Sequence, residues 1–196
     1  MKAISLWWLG ALLIICQPAA GFGSPAPQVG DLMPLLPVEI PADANHRAYL
    51  GLEQTDRLDQ AEGTVDATAI KGRLLLIEIF SMYCPHCQRE APDVNRLYQA
   101  IEAAPQLRGQ VKMIGIGVGN SGFEVNHFRK HYQIEFPLFP DEDFKIHKDL
   151  GEVRTPFFII VGLDPENRGK VLWTGAGKMG PQEAFLARLK KLLEQP

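Results

Sequence analysis

The sequence predicts an α/β fold with a central mixed β-sheet flanked by helices. Short apolar runs typical of buried strands alternate with amphipathic segments through most of the chain. Near the end, two apolar runs at residues 157–161 and 170–174 are separated by the turn-forming residues 164–169, which is typical of a hairpin. The 196 residues, 46% of them hydrophobic, suit one such domain with additional segments.

The elements follow one another in a regular order. Strands are predicted at residues 74–80, 111–118, 136–139, 157–161 and 170–174, and helices directly after 87, at 123–132, at 142–150 and from Pro181 onward. The main domain is therefore expected to span residues 64–196. Residues 24–63 are expected to form a linker and an N-terminal extension: 21–37 read as an extended arm, and 41–63 have no clear assignment.

The first 23 residues have the pattern of an export signal. Lys2 precedes an apolar stretch at residues 6–16, and small residues follow it. The stretch is too short for a membrane span of ~20 residues. Cys16 leaves lipidation as an alternative, and an uncleaved anchor is another. We expect a periplasmic or otherwise extracytoplasmic protein that contacts a membrane only if this segment is retained or lipidated.

Two cysteines, Cys84 and Cys87, lie where the strand at 74–80 gives way to a helix. Free N–H groups at a helix N-terminus favour an anion, so the pKa of Cys84 is expected to lie below the ~8.5 of a free thiol. Cys87 follows one helical turn later and is close enough to form a disulfide. Without the first 23 residues these are the only cysteines, and a crosslink over so small a loop adds little stability. The pair is therefore predicted to be a redox dithiol.

This stretch resembles the thioredoxin superfamily over roughly residues 65–194. Glu78 lies six residues before Cys84, where thioredoxins have a buried acid, and Pro92 follows Cys87 where many members have a helix-kinking proline. Thr155 and Pro156 resemble the cis-proline loop that faces the dithiol in this fold. The Cys-Pro-His-Cys motif is similar to that of DsbA-type oxidants. The threonine before Pro156, and the long segment between the second strand and this loop, are more similar to the TlpA/ResA branch.

The expected activity is thiol–disulfide exchange, with Cys84 as the nucleophile and Cys87 as the resolving thiol. The expected catalytic residues are Cys84, Cys87, Glu78, His86 and Pro156, and the expected substrate-binding residues are Tyr83, Pro85 and Thr155. A buried Glu78 would transfer the proton of Cys87. A positive charge on His86 would stabilise the Cys84 thiolate and make the disulfide more oxidising.

This activity bears on the redox partners and on the direction of electron transfer. No organic cofactor is implied, because electrons pass between this dithiol and the thiols or disulfides of partner proteins, including an upstream protein redox partner. The net charge of −3 gives no basis for nucleic-acid binding. The TlpA-like frame favours a reductase, as in cytochrome c maturation, and the Pro-His pair favours an oxidant of exported proteins.

Four alternatives stay open at this point. The cysteines could bind copper as a chaperone, although no metal site is predicted because the histidines at 127, 131 and 147 show no obvious ligand spacing. Glu78 could instead face solvent on an edge strand. A peroxidase is disfavoured because Ile77 and Ser81 occupy the positions where its Pro and Thr are expected. Residues 117–122 fit the dinucleotide pattern G-x-G-x-x-G, with Asp141 downstream, but a loop near the dithiol is the preferred interpretation.

Overall fold

The computed structural model describes residues 25–53 and 63–195. The strands are β1 Pro37–Glu39, β2 Thr64–Asp66, β3 Leu74–Phe80, β4 Val111–Val118, β5 Leu138–Asp141, β6 Phe157–Gly162 and β7 Val171–Ala176. The helices are α1 Ala44–Leu50, α2 Pro85–Ala103, α3 Gly122–His131, α4 Lys145–Asp149 and α5 Gln182–Leu193. The predicted export signal lies outside the described residues, and within them no helix is long and apolar enough to cross a membrane.

The main sheet has the strand order β5-β4-β3-β6-β7, so β3 is its central strand. β3 is parallel to β4, which is parallel to β5, and antiparallel to β6, which is antiparallel to β7. All seven residues of β3 are buried. This matches the continuous apolar run in the sequence, because a central strand covered on both faces has no solvent side. The predicted mixed α/β architecture is confirmed.

Alternate residues of β3 face two separate hydrophobic cores. Leu75, Ile77 and Ile79 belong to one core, which also contains side chains of the N-terminal extension. Leu74, Leu76 and Phe80 belong to the other, to which α2, α3 and α5 contribute their apolar faces. Side chains of a strand alternate between faces, so Glu78 points to the α2 side, where Cys87 is buried.

Residues 25–53 of the N-terminal extension are packed on the domain. The N–H of Gly30 donates to the carbonyl of Val171 at 2.8 Å, and that of Met33 to the carbonyl of Gly169 at 2.7 Å. β1 pairs with β2 in a separate two-stranded sheet. The unassigned part of the sequence contains α1, which begins after the N-cap Asp43 and ends at Gly51 with a φ of 68°. A left-handed glycine of this kind is a common way to end a helix.

Several predicted boundaries differ from the structure, including those of two consecutive elements. The strand expected at 136–139 is β5, Leu138–Asp141, and the helix expected at 142–150 is the shorter α4, Lys145–Asp149. Asp141 explains the second difference, because its carboxylate accepts hydrogen bonds from the backbone N–H groups of Ile146 and His147, both at 2.9 Å. Phe144 has a φ of 58°, which interrupts any helix before Lys145.

Candidate active site

Cys84 lies at the N-cap of α2, at the predicted strand-to-helix junction. Its backbone is extended (φ −81°, ψ 114°), and its Sγ accepts a hydrogen bond from the backbone N–H of Cys87 at 3.4 Å. Pro85 follows at the first helical position, where its fixed φ suits a helix and its missing N–H needs no partner. The sequence order Cys-Pro therefore places the sulfur directly over the helix start.

The environment of Cys84 favours its thiolate. The side chain is partly exposed. Burial, the largest single influence, raises the pKa of the Cys84 thiol, but hydrogen bonds with the Thr155 side chain, with Cys87 and with the backbone N–H of His86 together outweigh it. The pKa of Cys84 is therefore below its ordinary value, as the sequence predicts.

Cys87 has the opposite environment. Its side chain is fully buried in the core beneath α2. Burial, followed by the hydrogen bond to Cys84, raises the pKa of the Cys87 thiol well above its ordinary value. Two thiols one helical turn apart are thus differentiated by structure: the accessible one ionises readily, and the buried one keeps its proton until a base removes it.

Glu78 is a buried acid in the central strand, only 3% exposed. Burial, followed by the charges of Glu90 and Cys84, raises the pKa of its carboxyl to about 8. The alternative of a solvent-facing residue on an edge strand is wrong, since β3 is the centre of the sheet. The pKa of Cys87 is in turn raised in part by the charge of Glu78, so the carboxyl and the resolving thiol influence each other.

Glu90 is a site residue that the sequence analysis missed. It is 6% exposed, three residues after Cys87 on the same buried face of α2. Its Oε1 accepts a hydrogen bond from the backbone N–H of Met179 at 2.7 Å. The available signal was its helical position, because Cys87, Glu90, Ala91 and Val94 share the spacing of one apolar face. Two buried carboxylates therefore lie near the dithiol.

The loop before β6 meets the dithiol as expected. The peptide bond between Thr155 and Pro156 is cis, which confirms the prediction. Sγ of Cys84 donates a hydrogen bond to the carbonyl oxygen of Thr155 at 3.4 Å. Pro156 is buried, whereas Thr155 is partly exposed. The exposed edge of this loop beside Cys84 is therefore available to a partner chain.

His86 and Tyr83 both lie on the exposed side of the dithiol. Nη2 of Arg89 contacts Nδ1 of His86 at 2.9 Å. A guanidinium can only donate, so Nδ1 of His86 is the acceptor in this contact, which holds the guanidinium of Arg89 beside the imidazole. The hydroxyl of Tyr83, which is 62% exposed, donates to Oε1 of Glu124 in α3. This hydrogen bond raises the pKa of Tyr83.

The glycine-rich segment at 117–122 supports the dithiol loop. The side chain of Asn120 is fully buried, and its Oδ1 accepts a hydrogen bond from the backbone N–H of Met82 at 2.8 Å. Ser121 forms a capping box with Glu124 at the start of α3. Asp141 is the acid expected of a dinucleotide site, but its carboxylate accepts hydrogen bonds from backbone N–H groups at the start of α4. The interpretation as a loop near the dithiol is confirmed.

A cavity of about 520 Å³ opens beside the dithiol. Its walls come from the segment before Cys84, the end of β4, the start of α4 and the loop before β6. The lining residues are Ser81, Tyr83, Val118, Gly119, Phe144, His147, Glu152, Val153, Arg154 and Thr155. Because Thr155 contacts Sγ of Cys84, the cavity and the reactive sulfur share one wall. Within residues 25–53 and 63–195, no three His, Cys, Asp or Glu side chains are grouped to hold a metal ion.

Comparison with known proteins agrees with this geometry. The family described as AhpC/TSA matches residues 50–177. The thiol-disulfide oxidoreductase ResA of Bacillus thuringiensis subsp. konkukian is 25% identical over 129 residues, which cover 65% of this chain and 68% of that protein. The chain is thus similar in sequence to a ResA-type enzyme.

Two solved structures share the fold. A secreted Mycobacterium tuberculosis disulfide oxidoreductase homologous to E. coli DsbE superposes with a TM-score of 0.52 at 18% identity, covering 67% of this chain and 90% of that chain. The thioredoxin domain of a thiol-disulfide oxidoreductase from Bacteroides vulgatus superposes with a TM-score of 0.58 at 13% identity, covering 85% and 99%. The thioredoxin-like fold and the enzyme class, a thiol–disulfide oxidoreductase, are confirmed. Since the family match spans well over half of its residues, this chain belongs to the AhpC/TSA family.

Proposed function

We propose that this protein is an extracytoplasmic thiol–disulfide reductase that transfers two electrons from Cys84 and Cys87 to disulfides of partner proteins. The observation that carries the proposal is the contrast between the two thiols. Cys84 is partly exposed with a lowered pKa, and Cys87 is buried with a raised one. An attacking thiolate must be accessible and ionised, whereas a resolving thiol need only reach the first sulfur.

The first half-reaction begins with the Cys84 thiolate. Its sulfur attacks one sulfur of the partner's disulfide, a mixed disulfide forms, and the partner's other sulfur leaves as a thiolate that takes up a proton. In the second half-reaction Cys87 loses its proton and attacks Sγ of Cys84. The partner's second sulfur then leaves as a thiolate, which takes up a proton from solvent. The partner disulfide is reduced by two electrons, and this protein is left with a Cys84–Cys87 disulfide.

Glu78 is proposed to accept the proton of Cys87 in the second step. A general base works best when its pKa lies near the working pH, and burial raises the pKa of Glu78 to about 8. Once ionised, the carboxylate lies on the same face of β3 as the buried thiol. The transfer can be direct or through one water molecule. Regeneration of the dithiol requires a second protein dithiol as reductant, and no organic cofactor is proposed.

The partner is proposed to bind as an extended segment along Thr155. The carbonyl of Thr155 is next to Cys84, and Pro156 presents no N–H there. A segment in this position can form backbone hydrogen bonds with the loop, as in strand addition to a sheet edge. Tyr83 and Pro85 border the same exposed face, and the cavity of about 520 Å³ can accept side chains of the partner.

The reductase direction is supported by similarity to ResA-type proteins. We infer a role of the kind found in cytochrome c maturation, with oxidised cysteine pairs of exported proteins as substrates. The competing direction, an oxidant of exported proteins, has Pro85 and His86 between the cysteines in its favour. A peroxidase is not proposed, although the family is AhpC/TSA, because Ile77 and Ser81 stand where that reaction needs Pro and Thr.

The decisive experiment is a reduction potential. Reduced and oxidised protein are equilibrated with glutathione buffers of graded composition, and the two forms are separated after alkylation. A reductase should fall closer to the ~−270 mV of thioredoxin than to the ~−120 mV of DsbA. A value near that of DsbA would reverse the proposed direction. Export is tested separately by fractionating cells that produce the full chain.

A further inference from the structure

Two histidines of the chain are left without the hydrogen bonds that engage the others. The sequence contains five histidines. The ring nitrogens of three are hydrogen-bonded to a backbone carbonyl or to an arginine: His46, His86 and His147. His127 and His131 have no such partner among residues 25–53 and 63–195. Both side chains are exposed, so their nitrogen lone pairs are open to a ligand.

The two rings lie side by side on α3. They are four residues apart, one helical turn, so they project from the same face. Their centroids are 6.2 Å apart and their planes differ by 13°. A metal binds the nitrogen lone pairs, which lie in the ring planes, so the two nearly parallel rings must rotate about their side-chain bonds to aim one nitrogen each at a shared ion at ~2.0–2.1 Å. Both side chains are exposed at the surface of one helix, which leaves them free to make this rotation.

A cavity adjoins the histidine pair. It has a volume of about 270 Å³ and is lined by Met82, Gln88, His127, Phe128, His131 and Tyr132. The thioether of Met82 is a soft sulfur donor of the kind that binds copper. Nε2 of Gln88 donates to the carbonyl of Met82 at 2.7 Å, which fixes this wall of the cavity. The pair therefore opens into a concave site beside the loop that leads to Cys84.

The charges around the histidine pair both attract and repel a cation. His131 is the last residue of α3, where the unpaired carbonyls and the negative end of the helix dipole favour a cation. Arg129 and Lys130 occupy the same turn and weaken the attraction. Imidazole nitrogens bind zinc, nickel and copper by coordination, which repulsion between exposed charges reduces only modestly.

We propose that His127 and His131 together bind one first-row transition-metal ion, such as Zn²⁺, Ni²⁺ or Cu²⁺, at this cavity. The two imidazoles supply two ligands, and the remaining positions face the cavity and solvent, where water or a donor from a partner protein completes the shell. The site is separate from the dithiol and uses neither cysteine. It lies against Met82, two residues before Cys84, so that a bound ion is placed next to the redox loop.

The test uses the full chain without a histidine tag, with Cys16→Ser and with Cys84 and Cys87 oxidised to their disulfide, so that no thiol can bind metal. Calorimetric titration with Ni²⁺, and separately with Zn²⁺, is expected to show one site per chain. His127→Gln and His131→Gln should each weaken binding at least tenfold, because either change leaves a single imidazole. His46→Gln is the matched control and should bind as the unmodified protein does.

A spectroscopic measurement makes the assignment independent of affinity. Electron paramagnetic resonance of the Cu²⁺ complex should show nitrogen ligation that changes in both single variants and not in the His46 control. Both positions are exposed, and circular dichroism verifies that each variant is folded. Unchanged stoichiometry and affinity in a His127→Gln/His131→Gln double variant would overturn the proposal, as would an equal loss in the control.

Discussion

The carbonyl oxygen of Thr155 lies 3.4 Å from Sγ of Cys84, although 71 residues separate them in the sequence. This contact joins the loop before β6 to the start of α2 at one reactive sulfur. Because β3 and β6 are antiparallel neighbours, the segment after β3 and the loop before β6 lie at the same end of the sheet. A partner segment that binds along Thr155 is therefore held against the attacking thiol.

The first prediction concerns the reactivity of the two thiols. Alkylation of the reduced protein with iodoacetamide at pH 6 should label Cys84 at least tenfold faster than Cys87, because Cys84 is accessible with a lowered pKa and Cys87 is fully buried. Peptide mass spectrometry measures the two rates. Cys87→Ser should accumulate mixed disulfides with partners, and Cys84→Ser should not. Faster labelling of Cys87 would reverse the two roles.

The second prediction is that Glu78 destabilises the folded protein as pH rises. Its folded pKa of about 8 lies above the ordinary value of an unfolded glutamate, so the folded state keeps a proton that the unfolded state loses. Stability attributable to this group is present below about pH 4 and is lost as pH rises toward 8. At pH 4, the free energy of unfolding of the Glu78→Gln variant should therefore be similar to that of the unmodified protein. At pH 8, it should be several kcal/mol higher than that of the unmodified protein.

Urea unfolding at pH 4, 6 and 8 measures this difference, and Glu135→Gln at an exposed position is the control. The same Glu78→Gln variant should release trapped mixed disulfides more slowly near neutral pH, since the proton acceptor for Cys87 is gone. A stability gain without any slowing would assign Glu78 a structural effect only. A constant difference in stability from pH 4 to 8 would contradict the raised pKa.

Sequence reasoning identified the dithiol, Glu78 and the Thr155-Pro156 loop because each is marked by a local pattern. Glu78 is conspicuous as one charge inside an apolar run, and that run is the central strand. Glu90 has no such local pattern, because a glutamate in a helix with many polar residues usually faces solvent. Its burial can be recognised only when the face of α2 that packs against β3 is known. The contact of Tyr83 with Glu124 depends on how two loops meet, which spacing within one element does not encode.

The N-terminal extension shows the same limit. Residues 41–63 contain few periodic apolar positions, yet Leu50 and Leu52 are buried against the domain. The hydroxyl of Tyr49 accepts a hydrogen bond from the backbone N–H of Met113 at 2.8 Å. The structure of the described part, residues 41–53, depends on contacts with distant strands, so its own composition does not predict it.

The third prediction concerns Asn120, whose Oδ1 accepts from the backbone N–H of Met82. Asn120→Ala leaves this N–H without its partner and should lower the free energy of unfolding by roughly 1–3 kcal/mol. It should also slow alkylation of Cys84 at pH 6, because the segment before the helix start is no longer fixed. Asn126→Ala is the matched control, since its side chain is exposed and bonds only within α3. Equal effects in both variants would show that Asn120 has no special role at the dithiol.

The last prediction concerns the positive charge beside the dithiol. Nδ1 of His86 accepts from Nη2 of Arg89 at 2.9 Å, so we expect the guanidinium of Arg89, held near the helix start by His86, to stabilise the Cys84 thiolate. Arg89→Gln and His86→Ala should each raise the pKa of Cys84 and make the disulfide less oxidising. Each unit of pKa should lower the reduction potential by about 30 mV, because both quantities report the same thiolate stabilisation.

The control for this pair is Arg96→Gln, which removes an exposed arginine that pairs with Asp93 farther along α2. The pKa of Cys84 is followed by the ultraviolet absorbance of the thiolate, which the protonated thiol lacks. The reduction potential is measured by equilibration with glutathione. Arg89→Gln should change both quantities at least as much as His86→Ala, and Arg96→Gln should change neither. If His86→Ala shifts the potential while Arg89→Gln does not, the charge lies on the imidazole, as the sequence alone suggested. If neither changes it, the backbone N–H groups at the start of α2 are sufficient to set the acidity of Cys84, and the Pro-His pair gives no support for an oxidant.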